Sequence, residues 1–177
     1  DSTMGTPKNE VFLSKKLKEA GYNTCAIGKW HLGNHPSFLP PKRGFDYWFG
    51  FSGGNMNYWG YPSGKNKTMH VQRNGKNVDH KKLTYLTDDF TNEALSFIKQ
   101  QKDIPFFMYL SYNAPHSPDH TTQQYLEKAD HIENGTRSVY AAMVAGVDQG
   151  VGRIDSLLTR LGIRENTLMI FLSDNGG

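Results

Sequence analysis

A single cysteine, Cys25, serves all 177 residues, so no disulfide can form within the chain and thiol usage does not reveal a redox compartment. Long apolar runs are missing too. Nothing approaches the roughly 18 residues that cross a bilayer, and the mean hydropathy is −0.63, so no membrane span is expected. Charge of one sign is scarce: 20 Lys and Arg against 17 Asp and Glu leave a net charge of +3. The basic residues are scattered, which argues against a nucleic-acid partner. A weakly basic balance suits an anionic substrate without demanding one. No signal-peptide pattern opens the chain, so any targeting segment is expected outside it. There is no repeat and no low-complexity tract. The length is enough for one domain with a real core. Cys25 sits in the run Tyr22-Asn23-Thr24-Cys25-Ala26-Ile27, which reads as a buried strand. A free thiol there behaves as a small hydrophobe.

The chemistry that is present begins at Ala26-Ile27-Gly28-Lys29-Trp30-His31-Leu32-Gly33. An ammonium and an imidazole stand two residues apart between glycines, just after a strand-like segment. In extended backbone, residues i and i+2 point to the same side. Lys29 and His31 are therefore expected to aim at one target, with Trp30 packed away from it. Such a pair can cradle a tetrahedral oxyanion such as sulfate or phosphate. A surface lysine and a satisfied histidine at a strand end would have the same spacing.

Asn9 to Ala20 carries Phe12, Leu13, Leu17 and Ala20 at helical period, with Gly21 as a stop. A short strand, Asn23 to Ile27, follows. A long irregular loop is expected over about 34–83, rich in Gly, Pro, Asn and aromatics, with short strand candidates at best. Connections that long are usually functional. Thr87 reads as an N-cap, and the helix should run to about Gln101, burying Phe90, Ala94, Phe97 and Ile98. Asp88 and Asp89 read as first-turn charge rather than metal ligands. Phe106 to Ser111 is a continuous apolar strand of the kind buried on both faces. Thr136 to Leu161 forms a long helix in which Gly146, Gly150 and Gly152 mark close packing or a kink. Thr167 to Leu172 reads as another buried strand.

This alternation predicts an α/β layered domain with a largely parallel sheet flanked by helices. In such sheets ligands gather beyond the carboxyl ends of the strands. Lys29 and His31, then His116, then Asp174 and Asn175, each follow a strand in this reading. Asp174 and Asn175 offer hard oxygen donors suited to Ca²⁺ or Mg²⁺. The run Asp174-Asn175-Gly176-Gly177 is equally good turn chemistry. His35, His70, His80, His120 and His131 lack motif context and are expected at the surface. The sequons Asn66-Lys67-Thr68 and Asn134-Gly135-Thr136 lie in polar stretches where a glycan would fit.

The octapeptide resembles a signature of the formylglycine-dependent sulfatases, a branch of the alkaline-phosphatase-like superfamily. Leu39-Pro40-Pro41-Lys42-Arg43-Gly44-Phe45-Asp46 resembles the family's following loop. Pro105 to His116 resembles its strand and Pro-His segment, and Phe171-Leu172-Ser173-Asp174-Asn175-Gly176-Gly177 its metal-binding strand end. The resemblance implies an alkaline-phosphatase-like fold, incomplete here. It also implies a sulfuric ester hydrolase acting on an aryl or carbohydrate sulfate. Lys29, His31 and His116 would be catalytic, with Lys29 and His116 also binding sulfate. Ca²⁺, with Mg²⁺ second, would sit on Asp174 and Asn175. Ser52 and Asn55, in the loop after Gly44-Phe45, are candidates for substrate contact. The tyrosines and tryptophans of that loop either stack on the substrate or pack the loop down.

No Cys-x-Pro/Ala-x-Arg nucleophile motif and no early pair of aspartates occurs in the chain. Residues 1–177 are therefore expected to form the central part of a longer catalytic domain. The formylglycine would lie upstream, made by a maturation enzyme acting on the full-length protein, and these residues alone would show negligible turnover. Family members are secreted, periplasmic or lysosomal. Two other functions stay open: a phosphoester or phosphonate hydrolase of the same superfamily, and a non-catalytic module that binds sulfated glycans.

Overall fold

The structure, a computed structural model, describes residues 4–61 and 68–175. Asn66 of the first sequon, and Gly176 and Gly177, lie outside them. In chain order the elements are α1 (Leu13–Glu19), β1 (Asn23–Lys29), β2 (Tyr47–Phe51), β3 (Gln72–Arg73), β4 (Lys76–Asn77), α2 (Leu86–Gln101), β5 (Phe106–Ser111), α3 (Gln123–Leu126) and α4 (Gly135–Arg160), joined by short 3-10 turns. The five-stranded sheet has the order β4-β3-β2-β1-β5. Strand β1 runs parallel to β2 and β5, whereas β3 and β4 add an antiparallel edge. The sheet is mixed with a parallel centre, which refines the expectation of a largely parallel one.

The period-2 alternation of strands explains the layering. Cys25 and Ile27 of β1, Tyr47, Phe49 and Phe51 of β2, and Phe106, Met108 and Leu110 of β5 face one core, completed by α2 and α4. Ala26, Trp48 and Phe107 face the other, closed by Phe12, Trp30, Leu39 and Phe45. Phe90 of α2 is fully buried and meets the rings of Phe49 and Phe51. Truncating such a phenylalanine to alanine typically costs about 3–5 kcal/mol.

Helix α2 begins two residues earlier than expected. Tyr85, not Thr87, is its N-cap, and Thr87 lies buried inside the first turn. No side chain caps it; Asp89 reaches back past the N-cap and accepts from the amide and hydroxyl of Thr84 at 2.9 and 2.8 Å. Tyr125 donates to Asp88 at 2.5 Å. The aspartate pair thus works as helix-start charge, as its position implies. The cap of α4 is Asn134, whose side-chain oxygen accepts from the Arg137 amide at 3.0 Å.

Three sequence expectations need correction. The loop of 34–83 contains a central buried strand, β2, whose aromatic residues fill both cores. Strand β5 is only half-buried: it has β1 on one side and, among the described residues, no strand on the other. Thr167 to Leu172 is extended chain rather than a buried strand, with Phe171 71% and Leu172 82% exposed. An apolar run becomes a strand only when another strand accepts its backbone bonds, and none of the described residues does so here. Met169 alone anchors the segment against the core. Among the described residues no helix is long and apolar enough to cross a membrane.

Candidate active site

The parallel strands β1, β2 and β5 deliver their carboxyl ends to one edge of the sheet. Close approach there is possible because two glycines lie side by side. Gly28 pairs with Gly50 on one side and Ser111 on the other. A Cβ on Gly28 would stand 1.9 Å from the Ser111 carbonyl oxygen, and one on Gly50 1.9 Å from that of Gly28. Gly28 also has φ +108, a conformation that side chains with a Cβ rarely adopt.

Lys29 ends β1. Trp30 turns inward, buried, and its indole N–H donates to the Phe38 carbonyl at 2.9 Å. The ladder to β2 continues past the strand ends: the Trp30 amide donates to Phe51 O at 3.0 Å and the His31 amide to Ser52 O at 3.1 Å. His31 has φ +53, so the chain leaves the extended conformation at this residue. The i, i+2 argument therefore does not describe this backbone. Lys29 and His116 both lie close enough to His31 for their charges to act on it. The His31 pKa is lowered first by partial burial, then by Lys29, then by His116. Lys29, His31 and His116 thus share one neighbourhood.

That neighbourhood holds one ammonium and, among the described residues, no acid paired with it. No carboxylate acts on His31, and among the described residues Lys29 makes no ion pair or hydrogen bond. An ammonium near two imidazoles is suited to an anion.

His116 closes a turn. Its amide donates to Asn113 O at 2.9 Å, and its Nδ1 lies 2.7 Å from the Ser117 carbonyl oxygen. A carbonyl only accepts, so Nδ1 carries the hydrogen and Nε2 is the nitrogen left to exchange a proton with a ligand. Tyr58, fully buried, sends its hydroxyl to both Asn113 O and His116 O at 2.8 Å.

Two residues absent from the sequence reading shape the site. Gly54 lies over the His31 ring: a Cβ there would sit 2.4 Å from His31 Nε2. Nothing in the local sequence marks Gly54 out among its glycine neighbours. Tyr58 belongs to a loop whose aromatics were left between stacking on substrate and packing, and for Tyr58 packing wins. It stacks on Tyr85, with Trp59 and Tyr125 adjoining. Tyr61 is the exposed aromatic there. His120, expected at the surface, lies edge-on to Tyr58 with a buried Nδ1 that has no partner.

Ser52 is half-buried at the end of β2 and Asn55 is exposed just beyond Gly54, so both belong to the loop that lines His31. Asp174 and Asn175 are exposed. They end the exposed C-terminal segment, and no described hydrogen bond or ion pair joins them to Lys29, His31 or His116. Their carboxylate and amide oxygens are donors that a hard divalent cation takes, but such an ion needs about six to eight. Among the described residues no group of three or more His, Cys, Asp and Glu could hold a metal.

The sulfatase family model matches residues 2–177. The chain is 37% identical to N-acetylgalactosamine-6-sulfatase of Mus musculus over 184 residues, covering 97% of this chain and 34% of that protein. It is 28% identical to an arylsulfatase of Klebsiella aerogenes over 235 residues, covering 99% of this chain and 51% of that protein. Among solved structures, Ps i-CgsB in complex with k-i-k-neocarrahexaose superposes with a TM-score of 0.82 at 38% identity, covering 92% of this chain and 39% of that one. The chain thus spans about a third of the length of the N-acetylgalactosamine-6-sulfatase it resembles.

Proposed function

The chain belongs to the sulfatase family, and from that premise we propose that it is the central part of the catalytic domain of a sulfuric ester hydrolase. The observation that carries the reading is that Lys29 and His116 both act on His31, beyond the carboxyl ends of parallel strands, with no ion pair on Lys29 among the described residues. A sulfate monoester carries one negative charge spread over its oxygens. Lys29 binds those oxygens and offsets charge as the ester bond to sulfur lengthens. His31, kept neutral by its surroundings, accepts a proton or orients the nucleophile. His116 presents Nε2 to the departing oxygen and gives it a proton, which matters most when the leaving group is a sugar alcohol rather than a phenol. Ser52 and Asn55 line the approach and contact the organic part of the substrate.

By family resemblance, a formylglycine hydrate outside residues 1–177 supplies the attacking oxygen, and a calcium ion supplies further charge neutralisation. Asp174 and Asn175 would give that ion two of its oxygens. A maturation enzyme acting on the full-length protein is the corresponding partner. The substrate class we propose is a sulfated glycan. The supporting facts are the similarity to an N-acetylgalactosamine-6-sulfatase and to a structure that holds k-i-k-neocarrahexaose. The identity of these relatives as sulfatases favours sulfate over phosphate esters and an enzyme over a binding module.

The test is sulfate release by the full-length matured protein from 4-nitrophenyl sulfate, N-acetylgalactosamine 6-sulfate and a carrageenan oligosaccharide, with 4-nitrophenyl phosphate alongside. Sulfate esters should be preferred, and Lys29→Ala should lose on the order of 10²–10³-fold in kcat/KM. Faster cleavage of the phosphate ester, or an active Lys29→Ala variant, would refute the reading.

A further inference from the structure

We propose that Tyr58 is a positioning residue for His116, its hydroxyl holding both ends of the turn that carries the imidazole. The inference rests on the general-acid role proposed for His116. The turn runs from Asn113 to His116, closed by the 2.9 Å bond from the His116 amide to Asn113 O. The Tyr58 hydroxyl shares its one proton between Asn113 O and His116 O, both at 2.8 Å. Asn113 O keeps the His116 amide if that hydroxyl is lost. His116 O, among the described residues, has no other hydrogen bond, so deletion strands the carbonyl of the acid residue itself.

Tyr58 is in turn held from three directions. Its carbonyl accepts from the Leu86 amide at 2.8 Å, which ties it to the start of α2. Its ring stacks on Tyr85 at 5.6 Å, and His120 meets it edge-on at 6.3 Å. Tyr85 reaches the same loop further on, its hydroxyl donating to His120 O at 3.0 Å. Burial holds both phenols above their ordinary range, so each remains a donor at neutral pH. The two tyrosines form a rigid template under the loop of 113–120, and Tyr58 is the one that grips the catalytic turn.

Tyr58→Phe keeps the ring and its packing. Tyr85→Phe removes a comparable bond from the same stack without touching the turn, and serves as the control. The readout is the ratio of kcat/KM on a sugar sulfate to that on 4-nitrophenyl sulfate, using the full-length matured protein. An aryl leaving group needs little protonation, whereas a sugar alcohol depends on it. Tyr58→Phe should lose about 10- to 100-fold on the sugar ester and less than about threefold on the aryl ester. In an H116Q background it should cost little more. Tyr85→Phe should lower the melting temperature and leave the ratio at its wild-type value. Equal losses of Tyr58→Phe on both esters, or no loss, would overturn the proposal.

A second measurement does not need turnover. Amide hydrogen exchange at His116 should quicken by about tenfold in Tyr58→Phe, as expected for one weakened local hydrogen bond, and not in Tyr85→Phe. Unchanged exchange overturns the positioning role. Wild-type inactivity on both sulfate esters would instead sink the sulfatase reading.

Discussion

Two glycines two residues apart in α4 should respond to the same substitution with opposite sign. Gly150 is buried against α2 and the residue that follows β5: a Cβ there would lie 2.6 Å from Thr91 Oγ1 and 2.6 Å from the Tyr112 hydroxyl. Those oxygens are hydrogen-bonded at 2.7 Å, and Thr91 donates to the Thr87 carbonyl at 2.9 Å. With the threonine proton so used, Tyr112 is the donor of the pair, and burial pushes its hydroxyl up to about 12, which keeps it protonated. Alanine at 150 forces both oxygens apart. Overpacking costs about 1–3 kcal/mol, and the lost bond about 1 kcal/mol. Better helix propensity returns about 1 kcal/mol. The net is a destabilisation of about 1–3 kcal/mol, or a melting temperature lower by roughly 3–10 °C. Gly152 faces solvent with nothing near its missing Cβ, so Gly152→Ala keeps only the propensity gain and should melt about 2–4 °C higher. Gly146, whose Cβ would meet Tyr125 and Thr87 at 3.4 and 3.5 Å, should tolerate alanine. Thermal unfolding followed by circular dichroism measures the series. A Gly150→Ala protein that melts at or above Gly152→Ala would refute the packing argument.

Gly54→Ala should displace the His31 ring, whose Nε2 would lie 2.4 Å from the new Cβ, and cost about 10²-fold in kcat/KM with little change in stability. Wild-type turnover would show that the loop yields instead. For His31 the native pKa is depressed, so the unfolded chain binds the proton more readily. The associated stability is present above about 6.5 and is lost as pH falls through the native value. Lys29→Met removes one depressing charge and should move the His31 titration upward, toward 6.5, in an NMR titration of its ring protons; an unmoved midpoint would break the link between the two groups. Arg43 is buried, donates to the carbonyls of Thr6 and Pro7, and lies 4.8 Å over the Phe12 ring. Arg43→Met should cost about 2–4 kcal/mol by chemical denaturation and expose the segment around Thr6 to proteolysis. Resistance equal to wild type would argue that the apolar contacts hold that segment without the charge.

Elements with a strong period and clear stops were legible from residue types alone. The helix ending at Gln101 and the long helix capped by Asn134 each lie within two residues of expectation. Strand β2 was not. Its run Tyr47-Trp48-Phe49-Gly50-Phe51 has aromatics on both faces and a glycine inside, so no alternation shows. Its burial comes from β1 on one edge and two cores on its faces, and all of these are distant in sequence. Gly54 was equally invisible, since its importance lies in the ring beneath it.

The segment Thr167 to Leu172 marks the limit of the same reasoning. Residue types there are those of a buried strand, and the inference to a ligand pair at its end assumed that the strand enters the sheet. Pairing is a property of two chains of backbone, not of one. Among the described residues β5 has no strand on its outer edge and the segment leaves Phe171 and Leu172 exposed, so the apolar pattern there makes no strand. Lys29 and His31 take their position from β1, which has a partner on both sides and a glycine pair that lets three strand ends close together. Sequence order positions a side chain only through the pairing of the strand that precedes it.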